Sequence, residues 1–255
     1  MKALAINGGS GRMGQLMAAA LGTVGYSVAF VVDAREPKEL FGATYAASWD
    51  SVDVAKVDVV IDFSSPEGVV ASAKWCADHG KGLVVGTTGL SSEQRQVVED
   101  AAKRTGVVIA ANYSVGAVLS EKFAAIAAPY FDRVEIIELH HDKKVDAPSG
   151  TSIAAAKGIA QARVAAGMPE IDDPTARHTL SGARGADTIG GIKIHSVRLP
   201  GLTAHQEILF GGPGEGLTIR HDSFDRLSFV KGVALAVDAV DATPRLLDGI
   251  ESLIQ

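Results

Sequence analysis

The stretch "KALAINGGSGRMGQL", residues 2–16, decides the fold. An apolar run, "KALAIN", breaks at glycines and passes into a helix-forming pattern. Gly9-Ser10-Gly11-Arg12-Met13-Gly14 fits G-x-G-x-x-G. Alone, that match also describes a tight turn without a ligand. Here a strand candidate precedes it, a helix candidate (11–24) follows, and an acid, Asp33, ends the second strand candidate, "SVAFVVD" (27–33). That order is the fingerprint of a dinucleotide-binding βαβ unit. The glycines let the backbone approach a pyrophosphate, and the helix N-terminus offers unpaired N–H groups and partial positive charge.

Downstream, "VDVVIDF" (57–63), "GLVVGT" (82–87) and "GVVIAA" (106–111) alternate with helical segments 66–79 and 91–104. Pro66 suits a first helical position, and Ser91-Ser92-Glu93 reads as a cap followed by an acid that favours the helix dipole. Apolar strands alternating with helices predict a parallel sheet covered on both faces. The ligand crevice of such a sheet lies beyond the strand C-termini. "GTTG" (86–89) and "AANYS" (110–114) end later strands and offer small residues and hydroxyls to a nicotinamide ring. Read alone, either segment is only a turn. Asp33 suits the adenosine ribose hydroxyls, which favours NAD; as a plain solvated strand end it would bind nothing. Arg12 and Arg35 are close enough in sequence to pair with a 2′-phosphate. NADH and NADPH are therefore both expected.

The pattern changes after residue 113. A helix (115–130) leads to "RVEIIELHH", then to a helix from Ser149 to about Ala166 and a loop rich in Gly, Asp and Pro. "IKIHSVRLPG", "TAHQEILFGGPGEG" and "LTIRHDS" alternate apolar and polar residues, the pattern of an antiparallel sheet with one covered face. Two helical segments, 224–240 and 244–254, close the chain and are expected to rejoin the first domain. The expected class is α/β: a Rossmann-type parallel-sheet domain (1–113 and 223–255) plus a smaller α+β domain (114–222) with a mixed or antiparallel sheet.

Composition narrows the partners. The 255 residues are 47% hydrophobic and 21% charged, with no apolar run near the roughly 18 residues a membrane helix needs. The N-terminus enters a strand directly, without the apolar region of a signal peptide. The single cysteine, Cys76, lies on a helix face in "AKWCADHG" and reads as a buried, inert thiol. These features fit a reducing cytoplasm. A net charge of −6 and 5% aromatics offer neither a basic patch nor a stacking platform for nucleic acid.

The second constellation is "ELHHDKKVDAPSGT", residues 138–151. A nicotinamide cofactor carries a hydride, so a nearby group must hold the acceptor and handle a proton. His140 and His141 titrate near neutrality, and Lys144 adds fixed positive charge and a possible proton. Ser149 or Thr151 can cap the helix that follows, whose first N–H groups would receive a carboxylate. Together these suit an acidic substrate, even one with two carboxylates. Asp142 and Asp146 read as solvated or structural. The plainer alternative packs one histidine and exposes the other. No metal is expected, because adjacent strand histidines point to opposite faces and the cysteine lies elsewhere.

The combination "GGSGRMG", "VIDFSSPEG", "VVGTTGL", "AANYSVGAV" and "ELHHDKKVDAPSGT" closely resembles the bacterial dihydrodipicolinate (4-hydroxy-tetrahydrodipicolinate) reductases, from the first strand to "HDSFDRLSFVKGV". The resemblance implies NADH- or NADPH-dependent reduction of the cyclic product of dihydrodipicolinate synthase, in lysine and diaminopimelate biosynthesis. It implies that His140 is the catalytic proton donor or acceptor and Lys144 a second donor. His141, Lys144, Ser149, Gly150 and Thr151 would hold the substrate carboxylates. Gly8, Gly9, Ser10, Gly11, Arg12 and Met13, with Asp33, Gly86, Thr87, Thr88, Ala110, Ala111, Asn112 and Tyr113, match the family's cofactor segments; Arg226 and Phe229 are further candidates. It also implies a hinge between two domains and a homotetramer built through the substrate domains' sheets. Two departures stand out: Asp142 occupies a position that is often basic, and "DAR" (33–35) separates the acid from the arginine. The competing readings are another two-domain dehydrogenase and an NAD(P)H-binding regulator without turnover. A semialdehyde dehydrogenase would need a nucleophilic cysteine at its site, and a regulator would need no proton donor.

Overall fold

The computed structural model describes residues 1–254. It divides into two compact units: residues 1–115 with those from 226 onward, and residues 116–225.

The first unit begins with β1 (Ala3–Asn7), α1 (Arg12–Thr23), β2 (Ser27–Val32), β3 (Thr44–Ala46) and β4 (Val59–Asp62). It continues through α2 (Pro66–His79), β5 (Gly82–Val85), α3 (Ser92–Ala102) and β6 (Gly106–Ile109). The strands pair in parallel in the order β6-β5-β4-β1-β2-β3. β4, β5 and β6 are buried at every residue, as a sheet covered on both faces requires. The helix starts follow the sequence closely. Ser65 caps α2 by accepting from Gly68 N, with Pro66 at the first position. Ser91 and Gln94 form a reciprocal capping box on α3. On one face of the sheet, Trp75 of α2 packs on Trp49 with ring centroids 4.8 Å apart, above Val60, Leu83 and Val107. Cys76 is fully buried in this layer, its Sγ 3.8 Å from the Gly82 carbonyl, and burial pushes its thiol pKa well up.

The second unit consists of α4 (Val115–Ala127) from its second residue, β7 (Arg133–His140), α5 (Gly150–Ala165), β8 (Ala186–Asp187), β9 (Lys193–Arg198), β10 (Ala204–Gly212) and β11 (Glu215–Ser223). Its sheet has the order β11-β10-β7-β9-β8. β7 and β9 run parallel and the other neighbours antiparallel, so the sheet is mixed. The parallel pair is possible because α5 and the loop after it form the long crossover that such a pair needs. Val134 and Ile136 of β7, Ile194 of β9 and Ile208 and Phe210 of β10 face α5, which fills the core with Ala155, Ala156 and Ile159.

The chain then returns to the first unit through a short 3-10 turn (Arg226–Phe229), α6 (Val230–Ala239) and β12 (Arg245–Asp248). β12 corrects the expected helix over 244–254. Pro244 precedes it, Gly249 ends it at φ +84°, and "RLLD" pairs in parallel with the open edge of β6. Backbone pairing at that edge outweighs the local helix-forming pattern. Among the described residues the first sheet thus has seven strands.

Candidate functional site

The turn between β1 and α1 leaves room for a ligand's phosphates. Gly8 has φ +82°, and a Cβ there would collide with the Phe63 carbonyl. A Cβ at Gly14 would collide with the Gly8 carbonyl, so α1 packs directly onto the turn. Gly11, the N-cap of α1, gives the first helical N–H groups no side-chain partner, and the first turn carries no acid. Those donors and the positive end of the helix remain available to an anion. Arg12 is exposed and Met13 half-buried beside them, while Gly9 is buried against Val31.

Asp33 is held over this turn. Its Oδ2 accepts from Ser10 N (2.9 Å) and Ser10 Oγ (2.7 Å), and its Oδ1 accepts from Arg35 N (3.0 Å). Burial works against its ionisation, but the Ser10 and Arg35 contacts outweigh it and hold the carboxyl below its ordinary value. A cleft of about 380 Å³ gathers Gly8, Ser10, Gly11, Asp33 and Arg35 with Phe63. A fixed anion, free helix N–H groups and a glycine-rich turn fit a dinucleotide.

Below this cleft is Asp62, which sequence reasoning missed. It is fully buried at the end of β4, flanked by the ends of β1 and β5. Its Oδ2 accepts from Asn7 Nδ2 (2.9 Å) and Ser72 Oγ (2.5 Å). Its Oδ1 accepts from Ser64 N (3.0 Å), Ser64 Oγ (2.7 Å) and Thr87 Oγ1 (2.8 Å). Thr87 also accepts from Ser64 N, so its hydroxyl is committed to the scaffold; Thr88 is exposed, and Gly86 packs on the Phe63 ring. In the next strand end Ala110 is buried and Ala111 exposed, and Asn112 Oδ1 accepts from Ser114 N (2.9 Å). Tyr113 is 2% exposed and donates to the Val85 carbonyl (2.7 Å), its phenol pushed up by burial. Its side chain ties this segment to the end of β5. Arg226 is exposed and Phe229 half-buried in the 3-10 turn before α6.

The second unit carries the other cluster. Strand alternation puts Glu138 and His140 on one face of β7, opposite Ser196 and Arg198 of β9 and Gln206 and Ala204 of β10. His140 Nδ1 lies 2.5 Å from Glu138 Oε2. Burial holds the His140 pKa below its ordinary value, aided by Lys144 and Arg198 and opposed by Glu138. Lys144 N donates to the His141 carbonyl (3.1 Å), and its Nζ donates to both Asp146 carboxylate oxygens at 2.8 Å. Asp146 is thus a structural partner, while Asp142 is exposed in the same loop. His141 Nδ1 is buried and has no hydrogen-bond partner among the described residues, which leaves a donor or acceptor for a ligand.

Ser149 caps α5: its Oγ accepts from Ser152 N (3.2 Å) and contacts Ser152 Oγ, which donates to Gln206 Oε1 (2.6 Å). Ser149 is only 3% exposed, so its hydroxyl serves the helix; Gly150 is exposed and Thr151 half-buried at the first turn. Two residues that sequence reasoning missed organise the cluster. Glu138, fully buried, also accepts from Ser149 N (3.2 Å) and takes both terminal nitrogens of Arg198, each at 2.8 Å. Arg198 donates further to the carbonyls of Asp146 and Val197, tying the Lys144 loop to β9. Burial works to raise the Glu138 pKa, but Arg198, Ser196 and His140 together hold it below the ordinary value.

Among the described residues no group of three or more His, Cys, Asp or Glu side chains could hold a metal ion, and no helix is long and apolar enough to cross a membrane.

Both halves of the chain match models of one family: "Dihydrodipicolinate reductase, N-terminus" over residues 2–113 and "Dihydrodipicolinate reductase, C-terminus" over residues 116–253. The 4-hydroxy-tetrahydrodipicolinate reductase of Mycolicibacterium smegmatis is 49% identical over 244 residues, covering 92% of this chain and 96% of the relative. The enzyme of the same name from Corynebacterium diphtheriae is 44% identical over 250 residues, covering 96% and 95%. A dipicolinate-bound dihydrodipicolinate reductase from Paenisporosarcina sp. TG-14 superposes with a TM-score of 0.86 at 39% identity, over 99% of each chain. The chain therefore belongs to the dihydrodipicolinate reductase family.

Proposed function

We propose that this chain, an NAD(P)H-dependent reductase, converts the cyclic 4-hydroxy-tetrahydrodipicolinate to tetrahydrodipicolinate, with loss of water, in lysine and diaminopimelate biosynthesis. The observation that carries this reading is the cluster at the end of β7. A half-buried imidazole, a guanidinium and a helix N-terminus gather around one buried carboxylate, and the Lys144 ammonium acts on that imidazole. That arrangement suits an acceptor with two carboxylates that must take up a proton as it is reduced.

Residues 1–113 with 223–255 are assigned to the cofactor and 114–222 to the substrate. NADH or NADPH supplies the hydride when bound. Gly8 to Met13 and the N-terminus of α1 receive the pyrophosphate, Asp33 the ribose hydroxyls, and Arg35 or Arg12 a 2′-phosphate. Gly86 to Thr88 and Ala110 to Tyr113 border the nicotinamide end, with Arg226 and Phe229 nearby in role. Asp62 keeps those strand ends in register. In the other unit, Lys144, His141 and the start of α5 from Ser149 to Thr151 hold the substrate carboxylates. Lys144 exchanges Asp146 for one of them, and His140 delivers the proton. Positioned acid catalysis of this kind is worth about 10²–10⁴ in rate.

A coupled assay with the synthase product, following NADH and NADPH absorbance, tests the reading. Oxidation of neither nucleotide would leave only a nucleotide-binding regulator or a different dehydrogenase. We further propose a cytoplasmic homotetramer. On the sheet face opposite α5, alternation places Ile137 and Leu139 of β7, Val197 of β9 and Leu209 of β10 among Glu135, His195 and Glu207, a mixed apolar and polar face suited to a second copy. A monomer in sedimentation at micromolar concentration would refute the assembly.

A further inference from the structure

We infer that Glu138, paired with Arg198, is a positioning residue that makes Nε2 of His140 the nitrogen that handles the reaction's proton. The inference rests on His140 being the proton donor and deepens that reading. Its observations are independent of the family match.

A fully buried carboxylate held by both terminal nitrogens of an arginine is ionised and can only accept hydrogen bonds. His140 Nδ1, 2.5 Å from Glu138 Oε2, must therefore carry its hydrogen towards Glu138. The ring is left with one nitrogen for chemistry. As an imidazolium, His140 breaks its Nε2–H bond and keeps the electron pair on nitrogen. The proton joins the electron-rich carbon left by hydride addition to the conjugated ring. The product ring is already the Nδ1–H tautomer that Glu138 demands, so Nε2 reloads from solvent without a flip or a tautomer exchange. The other Glu138 oxygen holds Ser149 N, so one carboxylate sets both the proton donor and the start of the carboxylate-receiving helix.

The charged groups facing His140 are Glu138 on its own strand, Lys144 in the following loop and Arg198 on β9. From β10, the residues opposite are Ala204 and Gln206, which are uncharged. Glu138 favours the imidazolium; burial and the two cations disfavour it. Removing the carboxylate charge should therefore lower the pH at which His140 loses its proton.

The test has two readouts. In the wild-type protein, ¹⁵N-histidine spectra, assigned by difference against His140→Gln, are expected to show neutral His140 solely as the Nδ1–H tautomer. In Glu138→Gln, kcat at neutral pH is expected to fall about 10²-fold. The pH above which kcat declines should move lower, and KM for the nucleotide should not change. A positioning arginine predicts that Arg198→Lys, which keeps the charge, retains the wild-type pH limb. An Nε2–H tautomer, or a Glu138→Gln profile superimposable on wild type, would overturn the inference. If Glu138→Gln does not fold, the wild-type spectrum still decides. If His140→Gln leaves kcat intact, the donor assignment fails, while the spectrum continues to report on Glu138 alone.

Discussion

Asp62 and Glu138 are both fully buried carboxylates near the ends of strands, and their surroundings satisfy them in opposite ways. Asp62 accepts from an amide, three hydroxyls and a backbone N–H, all neutral. Glu138 accepts from a guanidinium, an imidazole and a backbone N–H. Neutral donors fix geometry and leave the local field to the ligand, which suits a site that receives an anionic dinucleotide. Cationic donors fix geometry and also connect the carboxylate to the charge of a titrating ring, which suits a site that moves a proton. The same requirement, a carboxylate out of water, thus serves scaffolding in one unit and, in the function proposed above, chemistry in the other.

The comparison can be broken in order of expected effect. If His140 delivers the proton as proposed, His140→Gln should lower kcat by about 10²–10⁴ with little change in KM. An unchanged kcat would reduce Glu138 to a scaffold like Asp62. Next comes stability in urea unfolding. Arg198→Met leaves a buried carboxylate without its cation and should cost about 3–5 kcal/mol. Asp62→Asn disturbs only neutral hydrogen bonds and should cost about 1–3 kcal/mol. Equal losses would erase the distinction.

The pH dependence sharpens the same point. The folded-state pKa of Glu138 is depressed, so its stabilisation is present above the ordinary glutamate value of about 4.3 and lost as pH falls through the lower folded value. Glu138→Gln should flatten that acid limb of stability. His140 is also depressed, so its contribution is lost as pH falls from about 6.5 towards its folded value.

Asp62→Asn should raise KM for both nucleotides by about tenfold, a 1.4 kcal/mol effect, and leave the pH profile of kcat in place. A moved profile would give Asp62 an electrostatic role. The smallest effect belongs to Asp146, whose carboxylate holds Lys144 at 2.8 Å while more than half exposed. Asp146→Asn should lower KM for the dicarboxylate by up to about fivefold, since the screened pair is worth at most about 1 kcal/mol.

Much of this was legible from the chain. The glycine turn, Asp33, the helix start at Pro66 and the cap at Ser91 are local features whose partners lie within a few residues or one βαβ unit, so spacing reveals them. The paired carboxylates were not legible. "VIDF" shows an acid ending an apolar strand, but its donors include Asn7 at the end of β1, Ser72 on α2 and Thr87 just beyond β5. "ELHH" shows Glu138 beside two histidines, but Arg198, which keeps it ionised, arrives from β9 across a long crossover. Strand direction was hidden for a related reason: alternation in "IKIHSVRLPG" marks one buried face and is silent on whether β9 runs with or against β7. "RLLD" failed as a helix because its strand pairing depends on an edge of β6 that only the assembled sheet presents.

Cys76 gives the fold a built-in clock. Its sulfur is sealed between α2 and the sheet, with its thiolate strongly disfavoured. A thiol reagent can reach it only after that helix has lifted away. Because the chain has one cysteine, the labelling rate counts openings of the nucleotide-binding layer directly, with no engineered probe. Any slowing of that clock by NADH or NADPH would measure how far the dinucleotide holds α2 down.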